Sequence, residues 1–209
     1  MPPRSDVVER HYRRCVCSSC WPVSPATGRL LYMLGVEAAR ACRGIFVEAG
    51  TGLGFSALWL ASAILDAGVY SYLLTIDLVG ERSAAAWRLL KEEGLGLYVD
   101  PVVSEASMFL RSMRRVPVCM AFLDAAKEMY GEYLDALESL MADYSILAAH
   151  NVTAPSPWRV SGFLEAVSRR YTCVILHTDY AGLLAALVLH HHSSSTSSSS
   201  LSSSTGRPS

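Results

Sequence analysis

The sequence lacks a surplus of charge of either sign. Its 209 residues carry a formal net charge of −1 at pH 7, and 18% of them are charged while 51% are hydrophobic. Proteins that bind nucleic acid or anionic membranes usually present a strongly basic surface. We therefore expect neither kind of partner, and the length predicts one globular domain with a full core.

Long apolar runs are missing as well. No stretch of the sequence reaches the roughly 18 residues that a helix needs to cross a bilayer. The first residues, Met1–Asp6, are not followed by the apolar segment of a signal peptide. Three of the six cysteines (Cys42, Cys119 and Cys173) lie in apolar segments, which is typical of small core residues. These observations together predict a cytoplasmic protein.

The two ends of the chain differ in composition from its middle. Residues 1–21 are polar and form a predicted N-terminal extension. Its potential metal ligands are His11, Cys15, Cys17 and Cys20. A zinc site or a local disulfide is conceivable there, but free thiols are favoured because zinc modules usually take their ligands from two separated pairs. Residues 193–209 are serine-rich with almost no apolar side chains, which predicts a disordered tail.

The most informative stretch is a strand pattern that runs into a glycine turn. An apolar strand ends near Glu48, three glycines follow at alternate positions from Gly50 to Gly54, and a helical pattern begins near Ser56. This order is typical of the nucleotide-binding corner of a doubly wound sheet. Glycine is needed there because the ligand approaches the main chain closely. A glycine-rich turn that binds nothing is the alternative.

The same corner departs from that of dinucleotide-binding enzymes. Those enzymes use the pattern G-x-G-x-x-G, and Phe55 stands where the third glycine would fall. Glu48 lies two positions before the first glycine, where its carboxylate would repel a pyrophosphate and attract an ammonium group. A ligand with a cationic end is therefore favoured over a nicotinamide dinucleotide.

Polar side chains close the later predicted strands at the edge where an α/β sheet binds its ligands. Asp77 ends the second strand, either to hold ribose hydroxyls or to start the next helix. Glu105 follows the third strand, as a charge at a helix start or as an acceptor for an adenine amine. Asp124 ends the fourth strand, and His150 with Asn151 ends the fifth.

The ends of the fourth and fifth strands could bind a divalent cation. Asp124, His150 and Asn151 supply a carboxylate, an imidazole and an amide oxygen, which together make a half-shell of ligands. A hydrogen-bonded loop histidine is the alternative interpretation of His150.

The order of these patterns predicts an α/β domain over residues 22–192. Its expected fold is a Rossmann-like, doubly wound, mostly parallel seven-stranded sheet with an antiparallel last strand and helices on both faces. The last strand must be antiparallel because the turn that joins it to the sixth is too short for a crossover. One helix is expected from Ser24, its N-cap, to about Cys42, and another from about residue 125 to Met141.

The motif Val47–Ser56 resembles the first motif of class I S-adenosylmethionine-dependent methyltransferases. Other segments resemble the cation-dependent O-methyltransferases related to the caffeoyl-CoA and catechol enzymes. They comprise residues 24–28, 75–77, 122–130, 150–151 and 180–183. The first motif is shared by many methyltransferases, and the Asp-Ala-x-Lys-x-x-Tyr segment at Asp124–Tyr130 is the specific one. The resemblance covers about residues 22–189.

This resemblance implies S-adenosylmethionine as the cofactor. The methionine part would lie against Glu48 and the glycine loop, the ribose against Asp77, and the adenine against Glu105 and Ala106. The implied cofactor-binding residues are Glu48, Gly50, Thr51, Gly52, Gly54, Ser56, Asp77, Glu105, Ala106 and Asp124.

The resemblance also implies the catalytic residues. The family's metal is held by an aspartate at the position of Asp124 and by an Asp-Asn pair where this chain has His150 and Asn151. The lysine at the position of Lys127 is usually named as the base, so Asp124 and Lys127 are the predicted catalytic residues. A divalent cation, Mg²⁺ or Mn²⁺, is implied, although His150 and Ala126 replace family aspartates; histidine favours softer ions, and the ion could be weakly bound or absent.

The expected activity is O-methylation of a small hydroxyl compound, with a catechol-like molecule as the first candidate. The alternatives are a methyltransferase with another acceptor (an amine, a nucleic acid or a protein) and a non-catalytic protein that binds the cofactor. Trp21 and Trp158 are candidates for the walls of a planar acceptor site. Members of the family are often dimers, so a homodimer is an expectation from the resemblance alone.

Overall fold

The computed structural model describes residues 2–18, 20–114 and 116–190, and the predicted serine-rich tail lies outside them. Seven strands lie within these residues. They are β1 (Ile45–Ala49), β2 (Leu73–Asp77), β3 (Val99–Val103), β4 (Val118–Leu123), β5 (Met141–His150), β6 (Thr172–Leu176) and β7 (Leu183–Val188). They form one sheet in the order β3-β2-β1-β4-β5-β7-β6. Pairing from β3 through β5 is parallel, and β7 is antiparallel to both β5 and β6, which confirms the predicted fold.

Seven α-helices connect and cover the strands in the described part of the chain. They are α1 (Ser5–Cys17), α2 (Pro25–Ala41), α3 (Phe55–Ala67), α4 (Gly80–Glu92), α5 (Ala106–Ser112), α6 (Tyr130–Leu137) and α7 (Ser161–Arg170). None of them is both long and apolar enough to cross a bilayer.

Both faces of the sheet are covered, because successive side chains of a strand point to opposite sides. In β1, Phe46 belongs to the apolar cluster shared with α2, α3 and α4, and Val47 belongs to the cluster shared with α5, α6 and α7. All five residues of β1 are buried. This is the pattern of a central parallel strand, and it fixes the carboxyl ends of β1, β2, β4 and β5 along one edge.

One predicted helix boundary agrees with the structure and another does not. The helix after Ser24 has the predicted start, because the Ser24 side chain accepts a hydrogen bond from the Thr27 amide. The predicted end of the helix from about residue 125, at about Met141, was wrong. Helix α6 stops at Leu137, and β5 begins at Met141. Met141 pairs with Val118 in the sheet, so strand pairing overrides the helical pattern there.

The N-terminal extension contains a helix that the sequence analysis did not predict. The buried residues of α1 are Val7, Val8, His11 and Cys15, at the spacing of one helix face. This face packs into the apolar cluster of α2, α3 and α4. On the neighbouring side Arg10 and His11 contact the carboxylate of Glu93 at the end of α4. The extension is therefore part of the folded domain.

The cysteines in apolar segments do not all behave as small core residues. Cys42, just after α2, and Cys119 in β4 form a disulfide, so the prediction of two core thiols was wrong. Cys173 lies on the edge strand β6 and is only partly buried. The pairing could not be read from the sequence because 77 positions separate the two residues. It also removes one observation behind the cytoplasmic localisation, which stays a prediction.

Candidate functional site

A cavity of about 370 Å³ opens at the carboxyl ends of β1, β2 and β4. Most of the predicted cofactor-binding residues line it: Gly50, Thr51, Gly52, Ser56, Asp77, Glu105, Ala106 and Asp124. We call it the cofactor cavity. Parallel strands bring these separated residues to one edge of the sheet, as the sequence predicted.

The glycine loop forms one wall of the cofactor cavity. Gly50 has a φ of +105°, and a Cβ there would lie 2.4 Å from the carbonyl oxygen of Asp124. Only glycine suits this position, both for its φ and for the close approach. Gly54, predicted as a cofactor contact, does not line the cavity. It starts α3 with a φ of +84°, and a Cβ there would lie 2.9 Å from that of Ala86 in α4.

Glu48 lies beneath the glycine loop and does not line the cavity. Its side chain is fully buried, one carboxylate oxygen accepts a hydrogen bond from Thr75, and the other has no hydrogen-bond partner among the described residues. Burial raises the pKa of Glu48 to about 8, because a charged carboxylate is poorly solvated there. Its predicted contact with the methionine ammonium stays a prediction.

Asp77 and Glu105 both hold backbone amides at the rim of the cofactor cavity. Asp77 accepts hydrogen bonds from the amides of Gly52 and Val79, each at 2.9 Å. Glu105 caps α5 by accepting from Ser107 and Met108. Burial acts to raise the pKa of the Glu105 carboxyl, but these hydrogen bonds outweigh burial, so the pKa is lowered. The helix-start interpretation of Glu105 is thus confirmed, and its contact with an adenine stays a prediction.

A second cavity of about 350 Å³ adjoins the first. Its lining residues are Trp21, Asp124, Lys127, Asn151, Pro155, Ser156, Arg159 and Tyr180. We call it the acceptor cavity. Trp21 and Asp124 line both cavities. Trp158, the other predicted wall, is 70% exposed and lines neither. Tyr180 and Arg159 were missed because the shape of their loops was not readable from the sequence.

Lys127 and Asp124 form an ion pair at the floor of the acceptor cavity. The Lys127 ammonium lies 2.8 Å from Asp124 Oδ1 and donates to the Tyr130 hydroxyl at 3.0 Å. That hydroxyl lies within hydrogen-bond distance of the carbonyl oxygens of Leu123 and His150, so buried Tyr130 ties the ends of β4 and β5 together. Although burial acts to raise the pKa of Asp124, Lys127 and His150 lower it, so this carboxyl stays ionised.

His150 ends β5 between two carboxylates. Its Nε2 lies 3.1 Å from one oxygen of Asp179, and its Nδ1 lies 3.6 Å from Asp124 Oδ2. Burial acts to lower the pKa of His150, but the two carboxylates raise it above its ordinary value. Asp179 was missed as a site residue because it reaches the site through the turn between β6 and β7.

The predicted metal ligands Asp124, His150 and Asn151 lie together where β4 and β5 end. No group of three or more His, Cys, Asp or Glu side chains that could hold a metal is found among residues 2–18, 20–114 and 116–190. The predicted set differs from such a group because its third member, Asn151, supplies an amide. Asp124 and His150 are adjacent, and Nδ1 of His150 is buried without a hydrogen-bond partner in the described chain. A divalent cation at these residues stays a prediction.

The N-terminal segment covers the cofactor cavity. Cys15 and residues 20–23 line it, and a Cβ on Gly52 would lie 3.2 Å from Cys20 Sγ. Cys15, Cys17 and Cys20 are free thiols, and burial raises the pKa of Cys15 to about 12. The helical spacing of Val7, His11 and Cys15 was the signal that could have placed this segment.

The strand order and the cavity at the carboxyl edge define a Rossmann-like methyltransferase fold. The structure is similar to that of the O-methyltransferase TomG from Streptomyces achromogenes, solved with S-adenosylmethionine, with a TM-score of 0.76 and 24% identity over 91% of this chain and 92% of that one. It is also similar to the Bacillus cereus O-methyltransferase in complex with S-adenosylhomocysteine, with a TM-score of 0.73 and 20% identity over 89% and 92% of the two chains.

Residues 47–152, just over half of the chain, match the methyltransferase-domain family. The chain belongs to this family. A provisionally named O-methyltransferase from Mycolicibacterium vanbaalenii is 35% identical over 122 residues, which are 57% of this chain and 51% of that protein. A similarly named protein from Mycobacterium tuberculosis is 32% identical over 130 residues, 61% of this chain and 55% of its own length. The chain thus spans about half the length of the curated relatives it matches.

Proposed function

We propose that this protein is an S-adenosylmethionine-dependent O-methyltransferase that methylates a hydroxyl group of a small molecule. The observation that carries the proposal is the meeting of two cavities at Asp124, with Lys127 on the acceptor side. The names of the relatives and the ligands of the two structural neighbours support the same activity.

The residues that line the cofactor cavity support the binding of a nucleoside. Ser56 lies near the N-terminus of α3, and Gly50 and Gly52 present bare backbone. Asp77 lies where ribose hydroxyls would be bound, and Ala106 lies beside Glu105 at the adenine end. Bound S-adenosylmethionine supplies an electrophilic methyl group, so the protein needs only to produce an oxyanion and to aim it.

Lys127 is the residue placed to take the acceptor's proton. Its Nζ is fixed by Asp124 and by the Tyr130 hydroxyl, and it lies in the wall of the acceptor cavity. Lys127 would act in its neutral amine form: Nζ would accept the proton of the acceptor hydroxyl, and the ammonium so formed would pair with the Asp124 carboxylate. A divalent cation held by Asp124, His150 and Asn151 would lower the pKa of a hydroxyl bound to it.

The acceptor cavity favours a compound of about one aromatic ring. Its volume of about 350 Å³ is near the lower end of ligand sites, and Trp21 and Tyr180 offer flat walls. Arg159 is paired with Glu128 at 2.7 Å, so its charge is already balanced. The net charge of −1 gives no support to a nucleic-acid acceptor.

The test is calorimetric titration with S-adenosylhomocysteine, followed by a methyl-transfer assay with catechol as the acceptor. We expect binding of the nucleoside at a single site. Asp77→Asn should weaken it by about 10- to 100-fold, the usual cost of losing a hydrogen bond to a charged group. Asp100→Asn, on the exposed surface of β3, is the matched control. No binding by the unchanged protein would overturn the proposed function.

A further inference from the structure

Three buried side chains form a row of hydrogen bonds from the wall of the cofactor cavity into the core. Thr51 lines the cavity, and its hydroxyl lies 2.7 Å from the hydroxyl of Thr75. The Thr75 hydroxyl donates to one carboxyl oxygen of Glu48 at 2.5 Å. All three side chains are buried, and neither Thr75 nor Glu48 lines the cavity. Two threonines therefore connect Glu48 to the cavity.

The direction of these hydrogen bonds leaves an acceptor at the cavity end of the row. A hydroxyl group has one hydrogen to donate. Because Thr75 donates its hydrogen to Glu48, Thr51 must be the donor in the contact between the two threonines. The Thr51 oxygen then has only lone pairs to offer to a ligand. A hydrogen-bond donor such as an ammonium group suits this oxygen, whereas a carboxylate or a phosphate does not.

The surroundings of Glu48 favour a neutral carboxyl. Its side chain is fully buried, and its second oxygen has no hydrogen-bond partner in the described part of the chain. The carboxylates of Asp77, at the end of β2, and Asp124, after β4, both act against a further negative charge. The hydroxyls of Ser56 and Thr75 act in the opposite direction, and burial outweighs them.

We infer that Glu48 holds a proton in the free protein and releases it when the ammonium group of the cofactor binds at Thr51. The inference rests on the proposed function, because it takes S-adenosylmethionine or S-adenosylhomocysteine as the ligand. An ammonium that donates to Thr51 polarises both hydrogen bonds of the row in the same direction. The row then stabilises the Glu48 carboxylate, the O–H bond of the carboxyl breaks, and the proton passes to the solvent.

Glu48 is thus a positioning residue, which acts on the cofactor through Thr75 and Thr51. This role makes cofactor binding depend on pH. The bound protein holds one proton fewer than the free protein, so the affinity rises with pH wherever free Glu48 is protonated. The rise is at most about tenfold for each pH unit. It levels off near pH 8, since the pKa of Glu48 is about 8.

Calorimetric titration with S-adenosylhomocysteine at pH 7 measures the released proton. The titration is repeated in buffers that differ in their heat of ionisation, and the slope of the observed heat against that quantity counts the protons. The matched ligand is 5′-methylthioadenosine, which keeps the nucleoside and the sulfur but has no ammonium or carboxylate. Affinities for both ligands are then measured from pH 6 to pH 8, and Glu48→Gln corrects for titration of the ligand itself.

We expect about one proton released for each S-adenosylhomocysteine bound and none for methylthioadenosine. Glu48→Gln should release none, and its affinity should stay nearly constant over the pH interval. Thr75→Val should release less than about half as many protons as the unchanged protein, because the row is interrupted at a residue that does not line the cavity. The exposed Glu92→Gln is the control and should behave as the unchanged protein does.

Binding of S-adenosylhomocysteine without proton release would overturn the inference and leave the proposed function standing. Equal proton release with the two ligands would also overturn it, and so would full release by Glu48→Gln. If Glu48→Gln does not fold, the comparison of the two ligands on the unchanged protein still decides. Failure of the unchanged protein to bind either nucleoside would remove the proposed function and the inference together.

Discussion

At the scale of single residues, Asp124 is the side chain that links the cofactor cavity to the acceptor cavity. It lines both, and its carboxylate faces the ammonium of Lys127 and the ring of His150. The sequence predicted this residue and its neighbours, because carboxyl ends of parallel strands meet at one edge. It did not predict Asp179, whose approach depends on the turn before β7, or the buried position of Glu48 under the loop.

Lys127→Ala tests the role of the lysine. We expect the turnover number to fall by about 10²- to 10⁴-fold, the usual contribution of a general base. The affinity for S-adenosylhomocysteine should change little, because Lys127 lies in the acceptor cavity. Turnover of catechol and calorimetric titration measure the two quantities. Lys91→Ala, at the other lysine of the sequence, is the control. Equal turnover by both variants would remove Lys127 from the mechanism.

Glu48 makes the stability of the fold depend on pH. Its pKa is about 8 in the folded protein against an ordinary value of 4.5. Between these values the folded state keeps a proton that the unfolded state has lost, so stability falls as pH rises. The fall is about 1.4 kcal/mol for each pH unit of that interval, and stability levels off above pH 8.

Glu48→Gln should remove this part of the pH dependence, because an amide does not titrate. Urea unfolding of both proteins without cofactor, from pH 5 to pH 9, gives the free energies to compare. The exposed Glu92→Gln is the control. If the difference between Glu48→Gln and the unchanged protein does not vary with pH, Glu48 is ionised in the folded state.

At the scale of elements, one part of the wall of the cofactor cavity could be predicted from the sequence and the other part could not. The strand, glycine loop and α3 were predictable, since each has a local pattern of apolar, glycine and helical residues. The cover formed by α1 and residues 20–23 was not, because it depends on where α1 packs. The contacts of Arg10 and His11 with Glu93 join chain positions more than 80 residues apart.

Hydrogen exchange tests this arrangement of elements. We expect S-adenosylhomocysteine to slow amide exchange at least about tenfold in residues 20–23 and 50–56, because a ligand in the cavity holds both walls closed. Exchange in α7 should not change, since α7 does not line the cofactor cavity and packs on the face of the sheet opposite to α1 and α3. Mass spectrometry of peptic fragments gives the rates. Protection of the glycine loop alone would show that the N-terminal segment is not a wall of the cavity.

At the scale of the whole molecule, the sheet order and the two covered faces followed from the alternation of strand and helix patterns. The disulfide did not follow, because a pairing depends on which elements become neighbours in space. Cys42 and Cys119 join the end of α2 to a central strand across 77 positions. Such a link restricts a large part of the unfolded chain.

Removing this link should destabilise the protein. Cys42→Ala or reduction should lower the free energy of unfolding by about 2–5 kcal/mol, the range for a native disulfide. Cys17→Ala, at an exposed free thiol, should have no effect. Urea unfolding with and without reductant measures both. Thiol titration of the denatured protein should find four free cysteines of the six in the sequence, and a count of six would contradict the disulfide.

Trp21 has a consequence for cooperativity between the two ligands. Its side chain is 89% exposed and borders both cavities. The ligand that binds first restricts the motion of the indole. The second ligand then binds with a smaller loss of conformational entropy, because the indole is already ordered. The coupling free energy is the same in both directions. Cofactor and acceptor should therefore each raise the affinity for the other, and Trp21→Gly should make them bind independently.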